Sequence, residues 1–190
     1  MAMEKLSILN WGSRTFVMGI INVTPDSFSG DGMAADESRS IAERLVGRAK
    51  NLVEDGADVL DVGGESTRPG SSPVSAAEEM ARVVPAIREI RGALPDVLLS
   101  VDTYRADVAA AALNEGATCI NDVWGLRMDP AMAGLVAQRN CPIIIMHNRS
   151  KPKNVSQEER LGGRYIGVSY GDLLADIKHE LSEQISLGLA

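Results

Sequence analysis

The chain has 190 residues and a formal net charge of −7 at pH 7. Hydrophobic residues make up 45% and charged residues 24% of it, an ordinary globular composition that excludes disordered and fibrous classes. The acidic balance argues against a nucleic-acid or anionic-membrane partner, since the overall field repels polyanions, and two cysteines without a Cys-x-x-Cys spacing exclude a disulfide framework and a zinc knuckle.

Apolar runs and amphipathic segments alternate along the chain and predict five strand–helix units. Each strand is a short continuous apolar run, which is typical of a parallel strand buried on both faces. The predicted strands span residues 16–23, 57–62, 97–101, 118–123 and 142–147. The predicted helices span residues 36–55, 75–91, 105–114, 130–138 and 170–187, and Asp36 is the predicted cap of the first.

Polar residues stand at or just past the carboxyl end of every predicted strand. They are Asn22, Asp61, Asp102, Asn121 and the pair Met146 and His147. A (β/α) barrel builds its site on the loops at this edge, whereas a doubly wound sheet concentrates its ligand at one switch point. We therefore expect an α/β fold of the TIM-barrel type with about five of its eight units, strands in the order one to five, and unpaired first and fifth strands.

Two polar loops follow the first two strands. Residues 22–32 (NVTPDSFSGDG) exceed the two to six residues that such a loop needs, which predicts a lid, although these residue types are also ordinary turn formers. Residues 63–70 (GGESTRPG) combine backbone N–H groups, two hydroxyls and Arg68, a set that suits an anion such as phosphate. Neither loop identifies a function by itself.

Asp102 and Asn121 follow apolar strands and are expected to face one cavity, where paired donors and acceptors recognise a flat, nitrogen-rich heterocycle. The alternative is that each caps the following helix. His147 is a candidate base or metal ligand, but a lone strand-end histidine more often has a packing or hydrogen-bonding role.

Residues 167–171 (GVSYG) match the nucleophile elbow of serine hydrolases. No clear strand precedes this segment, and the one downstream histidine, His179, stands on the helix that immediately follows. The match is therefore a poor second interpretation.

Five motifs, in order, resemble the dihydropteroate synthase family. They are residues 18–29 (MGIINVTPDSFS), 61–70 (DVGGESTRPG), 100–103 (SVDT), 120–122 (IND) and 146–147 (MH). The resemblance covers nearly the whole chain and implies a TIM barrel. It implies an enzyme that condenses 6-hydroxymethyl-7,8-dihydropterin diphosphate with 4-aminobenzoate, giving 7,8-dihydropteroate and pyrophosphate.

The resemblance also implies a role for each matched position. Asn22 is expected to ligate the Mg²⁺ that neutralises the leaving diphosphate. The implied substrate-binding residues are Thr67, Asp102, Asn121, Met146, Phe28 and Pro69. The implied catalytic residues are Asp26 and Arg68, which belong to the two loops that shape the 4-aminobenzoate pocket. Family members form homodimers, and the composition predicts a cytoplasmic protein without nucleic-acid or membrane partners.

The sequence departs from the family pattern in two respects. Asn148, Arg149 and Ser150 stand where the family usually has Met-x-Gly after Met146 and His147, which predicts a longer, basic loop. The family's sixth to eighth units, with their pterin- and diphosphate-holding residues, have no counterpart in the sequence. We therefore expect a single pterin-binding domain over residues 1–190, truncated relative to the family. The alternatives are a cobalamin-linked pterin methyltransferase domain and a catalytically dead pterin-binding fragment.

Overall fold

Five strands alternate with five helices in the computed structural model, which describes residues 12–24, 40–65, 74–149 and 169–189. The strands are β1 (Met18–Asn22), β2 (Val59–Gly63), β3 (Leu98–Asp102), β4 (Cys119–Asp122) and β5 (Ile143–Ile145). The helices are α1 (Ile41–Glu54), α2 (Ala76–Ala93), α3 (Ala106–Asn114), α4 (Ala131–Arg139) and α5 (Leu173–Leu189).

The strands form one parallel sheet in the order β1-β2-β3-β4-β5. This confirms the predicted order. Strands that follow one another around a sheet are typical of a (β/α) barrel, whereas a doubly wound sheet reverses its order at a switch point. In the described part of the chain, β1 and β5 are the two sheet edges and do not pair with each other, as expected.

The two faces of the sheet differ because successive strand residues point to opposite sides. One face packs against the helices and forms the main core; its strand residues are Ile21, Leu60, Val62, Leu99, Val101 and Ile120. The other face begins, at the amino end, with a small apolar cluster of Phe16, Met18, Val59 and Leu98. Towards the carboxyl end it becomes polar, which places the candidate site residues there.

Helix α1 begins later than predicted. Its N-cap is Ser40, whose Oγ accepts a hydrogen bond from the Glu43 amide at 3.2 Å, while Glu43 Oε2 accepts one from the Ser40 amide at 2.8 Å. The prediction that Asp36 caps this helix is wrong, because the Ser-x-x-Glu pattern satisfies two amides that a helix start leaves unpaired. Asp36 lies outside the described residues. Helix α2 has the same capping box at Ser75 and Glu78, where the sequence predicted its start.

Substituting alanine for Ser40 should lower the free energy of unfolding by about 1 kcal/mol, the usual cost of losing such a cap. Urea unfolding measures this change. Ser186→Ala is the matched control, since Ser186 is an exposed residue inside α5 whose hydroxyl donates, within the described part of the chain, to the Ser182 carbonyl alone. An equal loss in both variants would show that the capping box does not set the start of α1.

Strand β5 is shorter than the predicted 142–147. It has three residues, and its pairing with β4 ends where Ile145 faces Asp122. An edge strand forms backbone hydrogen bonds to one neighbouring strand only. Met146 and His147 therefore have no strand partner once β4 has ended. None of the described helices combines the length and apolar character that a bilayer crossing requires.

Candidate functional site

One row of residues runs across the carboxyl edge of the sheet, on the face opposite the helices. The parallel register places Asn22 beside Gly63, Gly63 beside Asp102, and Asp102 beside Asn121. The row continues to Ile144 of β5. The structure therefore brings together Asn22, Asp102 and Asn121, which the sequence analysis selected as metal and pterin residues.

Because Gly63 has no side chain, it leaves a small gap in the middle of this row. A β-carbon there would lie 3.4 Å from Asp102 Oδ2 and 3.7 Å from Asn22 Oδ1, so both oxygens border the same space. A side chain at this position would occupy the gap between them. Two oxygen acceptors thus face a shared opening at the sheet edge.

A second row lies one layer deeper on the same face. Asp61 of β2 is paired with Ser100 of β3, two residues before the first row, so its side chain points to the same side. Asn121 Nδ2 donates a hydrogen bond to Asp61 Oδ2 at 2.9 Å. Asp61 is buried, and its other oxygen, Oδ1, has no hydrogen-bond partner in the described structure. This contact fixes the orientation of the Asn121 side-chain amide and leaves the side-chain oxygen Oδ1 available to a ligand.

Burial and repulsion act together on the two aspartates. Burial raises the pKa of Asp61, and the hydrogen bond from Asn121 partly opposes this. Burial, with the negative charges of Asp61 and Glu79, raises the pKa of Asp102 to about 7. Asp102 therefore changes charge near neutral pH. Asp102, with its raised carboxyl pKa and its position beside the fixed amide of Asn121, is therefore a candidate for ligand recognition.

The contact of Asp61 with Asn121 was not predicted from the sequence, which placed Asp61 at a strand end without giving it a role. The available signal was the strand period of two, since Asp61 stands two residues before Gly63 and so shares its face. The hydrogen bond to Asn121, however, joins residues 60 positions apart and depends on the register of three strands.

The region after β5 supports the hydrogen-bonding interpretation of His147. Its Nε2 lies 2.8 Å from Glu180 Oε2 of α5. Arg149, predicted to be part of a basic loop, donates to Glu180 Oε1 at 2.7 Å and to Asp176 Oδ2 at 3.0 Å. Its charge is thus already matched by two carboxylates. Met146 lies just beyond β5 and is 41% exposed.

The remaining predicted site residues lie outside the described residues. They are Asp26, Phe28, Thr67, Arg68 and Pro69. The first two residues of the nucleophile-elbow match, 167 and 168, also lie outside them. His179 is exposed on α5 and contacts Glu183 at 3.5 Å, one turn along its own helix, so the serine-hydrolase interpretation gains no support.

A cleft of about 640 Å³ lies at the opposite, amino edge of the sheet. Its lining includes Arg14, Asp58, Leu94 and Val97. Arg14 Nη1 donates to Asp58 Oδ2 at 2.9 Å, so these two charges neutralise each other. (β/α) barrels carry their active sites at the carboxyl edge, where Asp102 with its raised carboxyl pKa lies, and not at the amino edge where this cleft lies.

Comparison with known proteins identifies related sequences and structures. The family model described as "Pterin binding enzyme" matches residues 18–185. The dihydropteroate synthase of Bacillus subtilis (strain 168) is 45% identical over 185 residues, which is 97% of this chain and 57% of that protein.

Two solved structures of dihydropteroate synthases are also similar to this chain. A dihydropteroate synthase from Clostridium difficile, crystallised in the presence of pteroic acid, has a TM-score of 0.77 at 40% identity, over 95% of this chain and 60% of that one. The Xanthomonas albilineans dihydropteroate synthase with 4-aminobenzoic acid has a TM-score of 0.74 at 38% identity, over 93% and 56%. The chain thus spans less than two thirds of the length of these relatives.

Proposed function

Because the chain belongs to the pterin binding enzyme family, we propose that it carries out the dihydropteroate synthase reaction. Its substrates would be 6-hydroxymethyl-7,8-dihydropterin diphosphate and 4-aminobenzoate, and its products 7,8-dihydropteroate and pyrophosphate. The observation that carries the proposal is the shared row of Asn22, Asp102 and Asn121, in a chain 45% identical to a protein named dihydropteroate synthase.

Asp102 and Asn121 have the chemistry that a pterin ring requires. The ring presents N–H donors and acceptors in one plane, so a carboxylate and an amide side by side can bind its edge. Asn121 uses one amide hydrogen on Asp61 and keeps its carbonyl oxygen and second hydrogen. Asp102 accepts from ring N–H groups in its ionised form, which the pKa of about 7 makes the major form above neutral pH.

The same residues suit the proposed reaction. Breaking the bond between the pterin methylene and the diphosphate leaves a resonance-stabilised cation, which the nitrogen of 4-aminobenzoate attacks before losing a proton. In its ionised form, the carboxylate of Asp102 supplies negative charge at the edge of the ring that becomes cationic. No protein nucleophile is needed in this scheme.

We propose Mg²⁺ as the cofactor, held by Asn22, and the donor set at the sheet edge fits it. Mg²⁺ takes hard oxygen ligands, keeps several waters and uses one or two protein groups together with substrate phosphates. Asn22 Oδ1, which borders the gap at Gly63, would supply one such oxygen. No group of three His, Cys, Asp or Glu residues suited to a metal occurs among the described residues, and such a mode does not require one. When bound, Mg²⁺ would neutralise charge on the departing diphosphate.

Asn22→Ala should increase the Mg²⁺ concentration needed for half-maximal binding of the pterin diphosphate by roughly tenfold, in the range seen when a metal-site partner is removed. Affinity for 6-hydroxymethylpterin, which lacks the diphosphate, should stay unchanged. Calorimetric titration at several Mg²⁺ concentrations measures both values. Asn114→Ala, at an exposed position on α3, is the control. An unchanged Mg²⁺ requirement in the Asn22 variant would remove Asn22 from the metal site.

A cytoplasmic location is also part of this proposal. The water-soluble diphosphate substrate supports it, and fractionation of cells tests it.

Turnover of the chain tests the proposed function. The 190-residue protein is incubated with the pterin diphosphate, Mg²⁺ and 4-aminobenzoate, with the longer Bacillus subtilis enzyme as a positive control. Dihydropteroate and pyrophosphate in equal amounts would support the proposal. Pterin binding without product would indicate a binding module, and methyl transfer from methyltetrahydrofolate to cobalamin would indicate the methyltransferase alternative; either outcome contradicts it.

A further inference from the structure

The hydrogen bond between Asp61 and Asn121 crosses β3 on the face of the sheet opposite the helices. Asp61 of β2 is paired with Ser100 of β3, and Ser100 is paired with Cys119 of β4. Asn121 stands two residues beyond Cys119, so it shares this face and lies one layer nearer the carboxyl edge. Its Nδ2 donates to Asp61 Oδ2 at 2.9 Å. Asp61 therefore contacts Asn121 from the deeper layer, away from the edge that a ligand would reach.

The stability of the fold alone does not account for a carboxylate at position 61. Asp61 is 4% exposed, and all five residues of β2 are buried. Its Oδ1 has no hydrogen-bond partner among the described residues. Burial raises the pKa of Asp61, which means that the ionised form costs the folded state free energy. An apolar or amide side chain would avoid this cost, so the carboxylate calls for a functional explanation.

The contact determines which end of the Asn121 side-chain amide faces outwards. Oδ1 and Nδ2 are nearly equal in size, so their hydrogen-bond partners, and not packing, distinguish the two ends. An ionised carboxylate accepts hydrogen bonds and donates none, so Nδ2 faces Asp61 and Oδ1 is turned away from it. Asp102 lies beside Asn121 in the register. The sheet edge thus presents two neighbouring oxygen acceptors, which suit N–H donors of a flat heterocycle.

We propose that Asp61 is a positioning residue that holds the Asn121 side chain with Oδ1 towards the ligand before the ligand binds. This inference rests on the proposed function, in which Asn121 hydrogen-bonds the pterin ring. Asp61 does not contact the pterin and acts through Asn121. Without the carboxylate, the Asn121 amide is free to turn over or to change rotamer, and binding must then select one arrangement at a cost in affinity.

A double-mutant cycle of Asp61→Ala and Asn121→Ala tests this coupling. Calorimetric titration with 6-hydroxymethylpterin at pH 9 gives the Kd of the unmodified chain, both single variants and the double variant. The pKa of Asp102 is about 7, and the charge of Asp61 contributes to raising it, so Asp102 is ionised at pH 9 in all four chains.

Asp61→Ala alone should raise the Kd about three- to tenfold, the scale of ordering one side chain. In the Asn121→Ala background, the same change should alter the Kd by less than about twofold, because no amide is left to position.

Asp58→Ala is the matched control, since it removes a carboxylate one residue before the other end of β2. Asp58 accepts hydrogen bonds from Arg14 and from the Val17 amide, each at 2.9 Å. Its replacement should lower the Tm and leave the Kd for 6-hydroxymethylpterin unchanged. This control shows whether a loss of stability by itself weakens pterin binding.

Asp61→Asn separates positioning from stability and covers the case in which Asp61→Ala does not fold. Asparagine has nearly the same shape but cannot ionise, so the Tm at pH 9 should equal or exceed that of the unmodified chain. It offers Asn121 both a donor and an acceptor, so the Asn121 amide is no longer held in one orientation. The Kd should rise about twofold or more, and this rise should disappear in the Asn121→Ala background.

Three results would overturn the inference. The first is an unchanged Kd in both Asp61→Ala and Asp61→Asn. The second is a loss of affinity that is equally large with and without the Asn121 side chain, as a merely structural carboxylate would give. The third is an unmodified chain that does not bind 6-hydroxymethylpterin. None of these measurements involves turnover, so a chain that binds the pterin and makes no dihydropteroate contradicts the proposed function alone.

Discussion

Replacing Asp102 by asparagine should weaken binding of the pterin diphosphate by roughly ten- to a hundredfold at pH 8. A carboxylate that accepts hydrogen bonds from ring N–H groups contributes about 1.5–3 kcal/mol as a charge-assisted acceptor, and each 1.4 kcal/mol changes the affinity about tenfold. Calorimetric titration measures the loss. In the unmodified chain the affinity should fall between pH 8 and pH 6, because the pKa of Asp102 lies at about 7. The asparagine variant should lose this pH dependence.

The same substitution should stabilise the fold at pH 8. The pKa of Asp102 in the folded chain is about 7 and its ordinary value is 3.8, so the folded state binds this proton more tightly than the unfolded state. The resulting stabilisation is complete below pH 4 and is lost as the pH rises through 7. Asparagine cannot ionise, so its Tm should exceed that of the unmodified chain by several degrees at pH 8 and approach it near pH 4. A lower Tm at pH 8 would indicate a structural role for the Asp102 carboxylate.

Asn121→Asp should lower the free energy of unfolding by about 2–4 kcal/mol at pH 8, since it removes a buried hydrogen bond and adds like charge. The amide nitrogen that now donates to Asp61 at 2.9 Å would become an oxygen. Three carboxylates would then share the sheet edge. Repulsion and burial raise their pKa values in the folded state, so the deficit should appear as the pH rises and shrink near pH 4. Urea unfolding at pH 4 and pH 8 measures both values.

Asn114→Asp is the matched control for this variant. The Asn114 side chain accepts a hydrogen bond from Arg139 at 2.7 Å on the surface, so a carboxylate there keeps an arginine partner. Its stability should change by no more than about 0.5 kcal/mol, as is usual for exposed positions. Equal losses in the two variants, or a loss for Asn121→Asp that does not depend on pH, would contradict the electrostatic explanation.

Much of the fold follows from local pattern. Continuous apolar runs locate all five strands because parallel strands are buried on both faces, and glycine and proline mark the loops between them. The boundaries are less predictable. The start of α1 depends on which of several polar residues makes reciprocal hydrogen bonds, and Ser40 does so with Glu43. The length of β5 depends on where β4 stops supplying partners.

The candidate site could be predicted only in part, because some of its contacts depend on how the strands pair. Asn22, Asp102 and Asn121 each follow an apolar run, so their arrival at one edge is a consequence of parallel topology. That Gly63 lies in their row, with Asp61 one layer deeper, depends on the register. The hydrogen bond between Asn121 and Asp61 joins residues 60 positions apart in sequence. No local pattern contains that information, because it comes from how β2, β3 and β4 pair.

A crystal structure of the chain with the pterin diphosphate and Mg²⁺ tests the central claim most directly. We expect the ring within hydrogen-bond distance, about 2.7–3.2 Å, of Asp102 and Asn121, with the diphosphate on the Asn22 side of Gly63. A pterin in the amino-edge cleft beside Arg14 and Leu94, or one bound without contact to Asp102 and Asn121, would contradict the assignment of the site.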